Sequence, residues 1–153
     1  MTATLPPPTT ESAVEKLFGA VLGAQQVQAA YLGDRLGYYR ALGTGEALTS
    51  TELAARTATA ERYAREWLEH QAVSGVLVVD DAGAAPTARR YTLPAEHAEV
   101  YTDELSPNHV IPLARLVAGV GKHLDALVEA YRTGGGVSWA ELGDDAREAQ
   151  GAA

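Results

Sequence analysis

From Leu17 to Gly33 the chain runs LFGAVLGAQQVQAAYLG without one charged residue. Its composition is helical, but no face is marked for water by charge. A membrane span needs about 20 predominantly apolar residues. This run is shorter and carries Gln25, Gln26 and Gln28, so it is not read as transmembrane. A soluble helix without a charged face is buried on more than one side. The core of a small domain covers one side, and a second subunit or second domain covers another. The alternative is a wide core face with the three glutamines in water. The first reading makes Leu17, Phe18, Val21, Leu22 and Val27 candidates for a dimer interface.

Asp34 to Leu42 reads as a second helical segment closed by Gly43 and Gly45. Thr49-Ser50-Thr51-Glu52 then matches the capping box, in which a hydroxyl accepts from the backbone N–H three residues on and the glutamate reaches back. A short helix, Glu52 to Thr57, follows. Thr59 is placed to cap a longer helix from Ala60 to Ser74, which Gly75 stops. Helix, tight turn and longer helix make a helix-turn-helix. Val76 to Val79 is a β-branched run and predicts a strand. Asp80 to Thr87 is turn-rich, and Arg89 to Leu93 can pair back as a second strand, completing a wing. Pro94 opens a short helix through about Thr102.

Ser106-Pro107 offers another helix start, and Pro112 either kinks that segment or marks its true beginning. The helix is expected to reach about Arg132, before Gly134-Gly135-Gly136. Leu113, Val117, Val120, Leu124, Leu127 and Tyr131 recur at alternating spacings of four and three, the seam of a coiled-coil-like contact. The first four join the candidate dimer residues. Gly119 and Gly121 each cost roughly 1 kcal/mol relative to alanine in a helix. Close approach of another backbone justifies them, or the glycine-rich composition does. Ser138-Trp139-Ala140-Glu141 is a second capping-box match, with a helical pattern from Asp144 to Gln150. No internal repeat is visible.

The expected fold is therefore mainly α with a small two-stranded wing: a winged helix-turn-helix with flanking interface helices. The expected divisions are a disordered Pro-rich lead-in (1–11), a winged-helix domain with N-terminal interface helices (12–104), a long helix with the seam (105–136) and a linker helix (137–153).

A net charge of −8 weighs against a phosphate-binding surface. The second helix of the motif, which enters the major groove in DNA-binding members, carries Glu61, Glu66 and Glu69 against Arg62 and Arg65. Trp67 on that helix reads as core. Arg89 and Arg90 in the wing are offset by Asp80 and Asp81. Nucleic acid is thus not expected as a partner. The absence of cysteine excludes disulfides and thiolate chemistry and fits a cytoplasmic setting. His70, His97, His109 and His123 show no metal-ligand spacing, so no metal site is expected. Glu96 and Glu99 flank His97, which helical surface charge explains. Gly43-Thr44-Gly45 and Gly119-Val120-Gly121-Lys122 lack the contexts of nucleotide loops. No serine sits in a nucleophile elbow. No self-sufficient catalytic constellation is present, and no catalytic residue is assigned.

Several segments carry a resemblance: Tyr31 to Tyr39 (YLGDRLGYY), Thr51 to Thr57 (TELAART), Arg62 to Leu68 (RYAREWL), Tyr91 to His97 (YTLPAEH), Gly134 to Val137, and Asp145 to Glu148. In this order and spacing the chain resembles bacterial class I S-adenosylmethionine-dependent methyltransferases with an N-terminal winged-helix domain, over roughly residues 12 to 150. The resemblance implies a two-part enzyme. The winged-helix part makes a homodimer and covers the substrate pocket, and a Rossmann-like part binds the methyl donor. The acidic glycine-rich loop of that second part, of the D-x-G-x-G-x-G type, has no match in this sequence. The expectation is an inactive dimerisation and lid domain that binds no cofactor itself. S-adenosylmethionine belongs to the missing domain, joined covalently or supplied in trans, and no membrane is involved. Alternatives are a stand-alone winged-helix regulator or an auxiliary ligand-binding protein. The resemblance points to a region facing substrate, with Tyr31, Arg35, Tyr38, His109 and Trp139 as candidates. Their aromatic faces suit an apolar or aromatic small molecule. The other reading places them in the core or in a dimer.

Overall fold

The computed structural model describes residues 8–151. The elements in order are α1 (Thr10–Arg35), α2 (Tyr38–Leu42), α3 (Ser50–Thr57), α4 (Glu61–Val73), β1 (Val78–Val79), β2 (Tyr91–Thr92), α5 (Ala95–Thr102), α6 (Pro112–Gly121), α7 (Leu124–Thr133) and α8 (Gly143–Gly151). Of the lead-in expected over 1–11, residues 1–7 lie outside the described residues. Thr10 and Glu11 are already helical, because Thr9 caps α1 in a reciprocal box with Ser12.

The uncharged run lies wholly in α1. Its first half, through Leu22, is exposed on every side, and only from Val27 onward does the helix settle against the body. Gly37, with φ of 73°, breaks the chain between α1 and α2. The left-handed region costs glycine little.

The helix-turn-helix is α3 and α4. Thr49 and Glu52 form the capping box as read from sequence: the Glu52 N–H donates to Thr49 Oγ1 at 3.2 Å, and the Thr49 N–H to Glu52 Oε2 at 2.8 Å. Thr59, expected to cap α4, does not. Ala60 stands at that position without a side-chain bond, and Thr59 Oγ1 instead accepts from the Tyr38 hydroxyl at 2.9 Å. The wing strands are shorter than expected. They pair antiparallel, Val78 with Thr92 and Val79 with Tyr91, and Leu48 adds a bridge to Tyr91.

The core gathers Tyr38, Tyr39, Leu42, Leu48, Leu53, Leu68 and Tyr91 around Trp67. Trp67 meets Tyr38 and Tyr39 at ring-centroid distances of 4.8 and 5.1 Å, and its Nε1 donates to the Ala29 carbonyl at 2.8 Å. Tyr39 stacks on Tyr101 at 4.4 Å and donates to Gln71 Oε1 at 2.6 Å. Burial pushes the Tyr39 hydroxyl well above its usual range, so it stays a donor.

The single helix expected over 105–136 is two helices. Residues 105–111 form turns, Pro112 is the true start, and Lys122–His123 breaks the rest into α6 and α7. The cause is α8. A Cβ on Gly119 would lie 3.0 Å from the Ala146 backbone nitrogen, so α8 reaches this close only over a glycine. Lys122 then leaves the helix and turns to Asp145 of α8. Nothing lies within 4 Å of a Cβ on Gly121, so only the first glycine is explained by close approach. In the segment expected as one linker helix, Ser138 and Glu141 make their reciprocal bonds, but the chain turns there and helix α8 begins at Gly143. No helix among the described residues is long and apolar enough to cross a membrane.

Candidate functional site

Two features meet on α1. The first is a polar junction. Asp145, 7% exposed, accepts from the Tyr31 hydroxyl at 3.0 Å, from Lys122 Nζ at 2.6 Å, and from the Arg35 guanidinium. One helix turn away, Arg115 of α6 pairs with Asp34, donating from Nη2 at 2.8 Å. The junction therefore ties α8 and α6 to the C-terminal end of α1. The Lys122 hydrogen bond first, with those of Tyr31 and Arg35, holds the Asp145 carboxyl at about 2 against the opposing effect of burial. A lowered folded-state value stabilises the fold above the unfolded value, and the gain is lost as pH falls through the folded one. The stability difference between wild type and Asp145→Asn is thus expected to be constant at neutral pH. It should shrink between the ordinary carboxylate value of 3.8 and about 2, as read from melting temperatures of both proteins across that range. An unchanged difference at the acid end counts against this role.

The second feature is an apolar groove of about 630 Å³ between α1 and α4. Ala29, Leu32 and Leu36 form one wall, and Tyr63 and Trp67 the other, with Glu66 and His70 at the rim. Tyr63 is 73% exposed. A smaller apolar groove of about 240 Å³ lies on the other side of α1, between Val27, Val100, Leu113 and Val117.

The five residues expected to face substrate are not brought together. Tyr31 and Arg35 share Asp145. Tyr38 is 1% exposed, packed against the Trp67 indole at the floor of the groove between α1 and α4. His109 lines a polar cavity of about 30 Å³ with Asp34, Tyr39, Arg40 and Arg115, and its buried Nδ1 has no hydrogen-bond partner among the described residues. Trp139 stands exposed in the turn before α8. Of the expected dimer residues, Leu17, Phe18, Val21, Leu22, Leu113, Val117 and Leu124 are exposed. Val27 packs against this chain's own core, and Val120 is half-buried. Asp145 was not singled out as a site residue from the sequence. The available signal was Asp34-Arg35, the first charges after the uncharged run.

The wing arginines are engaged inside the chain. Arg89 Nη1 lies 2.8 Å from Glu69 Oε1, and Arg90 Nη2 lies 3.1 Å from Glu52 Oε2 and donates to the Ala47 carbonyl at 2.7 Å. Arg65 sits 3.6 Å from Glu61 on α4 itself. Among the described residues no group of three or more His, Cys, Asp or Glu is placed to hold a metal.

A helix-turn-helix closed by a two-stranded wing defines a winged-helix domain. Residues 26–103, just over half of the chain, match the Rv2258c-like winged HTH domain, and the chain belongs to that family. It is also similar to the solved structure of the mitomycin 7-O-methyltransferase MmcR, at 28% identity and a TM-score of 0.66, covering 93% of this chain. The chain spans 43% of the length of that methyltransferase. No curated protein matches it.

Proposed function

We propose that this chain is the dimerisation and substrate-lid part of a small-molecule methyltransferase. The observation that carries this reading is the likeness to a methyltransferase over 93% of the chain. The uncovered first half of α1 supports a subunit contact. Exposed Trp139, in the turn before α8, supports the lid, where its indole can lie against an apolar or aromatic acceptor.

The methyl donor, S-adenosylmethionine, does not fit the residues present. The strands among the described residues are those of the wing, and the acidic loop after β1, Asp80-Asp81-Ala82-Gly83-Ala84-Ala85, has a single glycine where a donor loop repeats them. The donor is held by a Rossmann-like domain, joined covalently or supplied in trans, and no step of the transfer runs through this chain's own side chains.

Light scattering tests the dimer. At tens of micromolar the expected mass is twice the 16.1 kDa of one chain, and a clean monomer overturns the reading. Calorimetry of the 153-residue chain with S-adenosylmethionine is expected to show no binding heat; measurable binding overturns the assignment of the donor to a separate domain. Salt-sensitive binding to duplex DNA favours a regulator instead. The arginine–glutamate pairs of the wing and α4 support the expectation that none is seen.

A further inference from the structure

The apolar face of α1 has a spacing that reads the same in both directions. Val14, Phe18 and Val21 precede Gln25 at spacings of four, three and four, and Ala29, Leu32 and Leu36 follow it at four, three and four. At about 100° per residue these positions fall on one narrow stripe. Among the described residues the first three are left 46–62% exposed, and Leu32 and Leu36 are 49% and 40% exposed along the 630 Å³ groove.

Resting on the dimer reading above, we infer that the groove is filled by the first half of α1 from a second copy of this chain, the two helices running antiparallel about a two-fold axis at Gln25. A self-complementary surface is what a two-fold interface requires. In this register Val14 of each copy meets Leu36 of the other, Phe18 meets Leu32, and Val21 meets Ala29. Phe18 lies toward the flank of α1 that carries Gly33, and Gly33 is where Trp67 rests. The two-fold keeps that flank on the same side, so Phe18 of the partner subunit enters between Leu32, Tyr63 and Trp67. Each groove is incomplete without the other copy's ring. Gln25 is the one polar residue on the stripe. An amide both donates and accepts, so two glutamines meeting at the axis satisfy each other, and a lone polar position in an apolar seam fixes the register.

The area suffices. A stable interface takes about 800 Å² from each partner, under a tenth of this chain's 10023 Å². An aromatic side chain buries roughly 150–250 Å², and Phe18 and Tyr63 still have 62% and 73% of theirs exposed, so together they supply on the order of a third of it, and the aliphatic residues of the stripe and its flanks supply the remainder.

The chain has no cysteine, so an engineered one reports without background. Gln25→Cys is expected to form a disulfide-linked dimer under mild oxidation at low micromolar concentration. Gln28→Cys is not, because two copies of that position stand about 9 Å apart along the helix axes, beyond the reach of a disulfide. Phe18→Asp is expected to raise the dissociation constant on the order of 100-fold or more, as an unpaired carboxylate in an apolar contact does. Its helical circular dichroism should be retained, since position 18 is exposed within one chain. Val117→Asp, on α6, should leave the dimer intact. A wild-type dimer in which Gln25→Cys cross-links no better than Gln28→Cys, or in which Val117→Asp dissociates and Phe18→Asp does not, overturns this pairing while leaving the dimer standing. A wild-type monomer overturns the dimer reading itself.

Discussion

Gly33→Ala is expected to lower the melting temperature of this protein by about 2–12 °C, although glycine to alanine inside a helix ordinarily stabilises. The helical gain is roughly 1 kcal/mol. Against it, a Cβ at position 33 would overlap Trp67 Cζ2 and stand 2.6 Å from Tyr39 Cε2. Neither ring is free to retreat: the indole is held by its bond to the Ala29 carbonyl, and the Tyr39 phenol by its bond to Gln71. Overpacking of this kind costs about 1–3 kcal/mol net, and each kcal/mol moves the melting temperature of a chain this size by about 2–4 °C. Gly23→Ala supplies the contrast. It lies in the same helix, nothing stands within 4 Å of its Cβ, and the change should stabilise. Thermal unfolding followed by far-UV circular dichroism separates the two. A Gly33→Ala protein as stable as the Gly23→Ala protein would mean that the rings yield.

What was legible in the sequence was what local chemistry decides. Thr49 and Glu52 satisfy each other across three residues, so the start of α3 could be read without the fold. The β-branched run before the wing was legible for the same reason, though only Val78 and Val79 pair. The seam from Leu113 to Tyr131 misled because its period continues unbroken through Lys122–His123. At the break Lys122 pairs with Asp145, 23 residues on, and no window along the helix contains that contact. Thr59 failed as a cap because Tyr38, 21 residues away, takes its hydroxyl. In each miss a contact distant in sequence overrode a sound local preference.

The candidate site divides along the same line. That the uncharged helix is left partly uncovered by its own chain followed from composition, since a charge-free helix needs more than one neighbour. Which residues bound what did not follow. The resemblance points to the region of Tyr31, Arg35 and Tyr38, but α1 turns Tyr31 and Arg35 toward α8, while the break at Gly37 sends Tyr38 into the core. The weakness of the DNA reading was visible as three acids against two bases on α4. The fold adds the reason the wing does not compensate, which is that its arginines reach glutamates of α3 and α4.

Trp67→Ala is expected to cost about 3–5 kcal/mol, the range for removing a large aromatic from a core, and so to lower the melting temperature by about 6–20 °C. The indole is 7% exposed, bears on both Tyr38 and Tyr39, and makes a polar link from α4 back to the α1 backbone at Ala29. Its loss therefore opens a cavity and unties two helices together. Because the same ring forbids a side chain at position 33, the two substitutions cannot be additive. In the Trp67→Ala background, Gly33→Ala loses one of its two clashes and should cost less than in wild type, a coupling of roughly 0.5–3 kcal/mol. Chemical denaturation of the four proteins of this cycle measures it. Additive losses would place the cost of Gly33→Ala on the Tyr39 side alone, and the indole would then not be what selects glycine at that turn of α1. A non-additive result ties the sequence pair Gly33 and Trp67 to the wall of the groove, since the ring that needs the glycine is the ring that lines it.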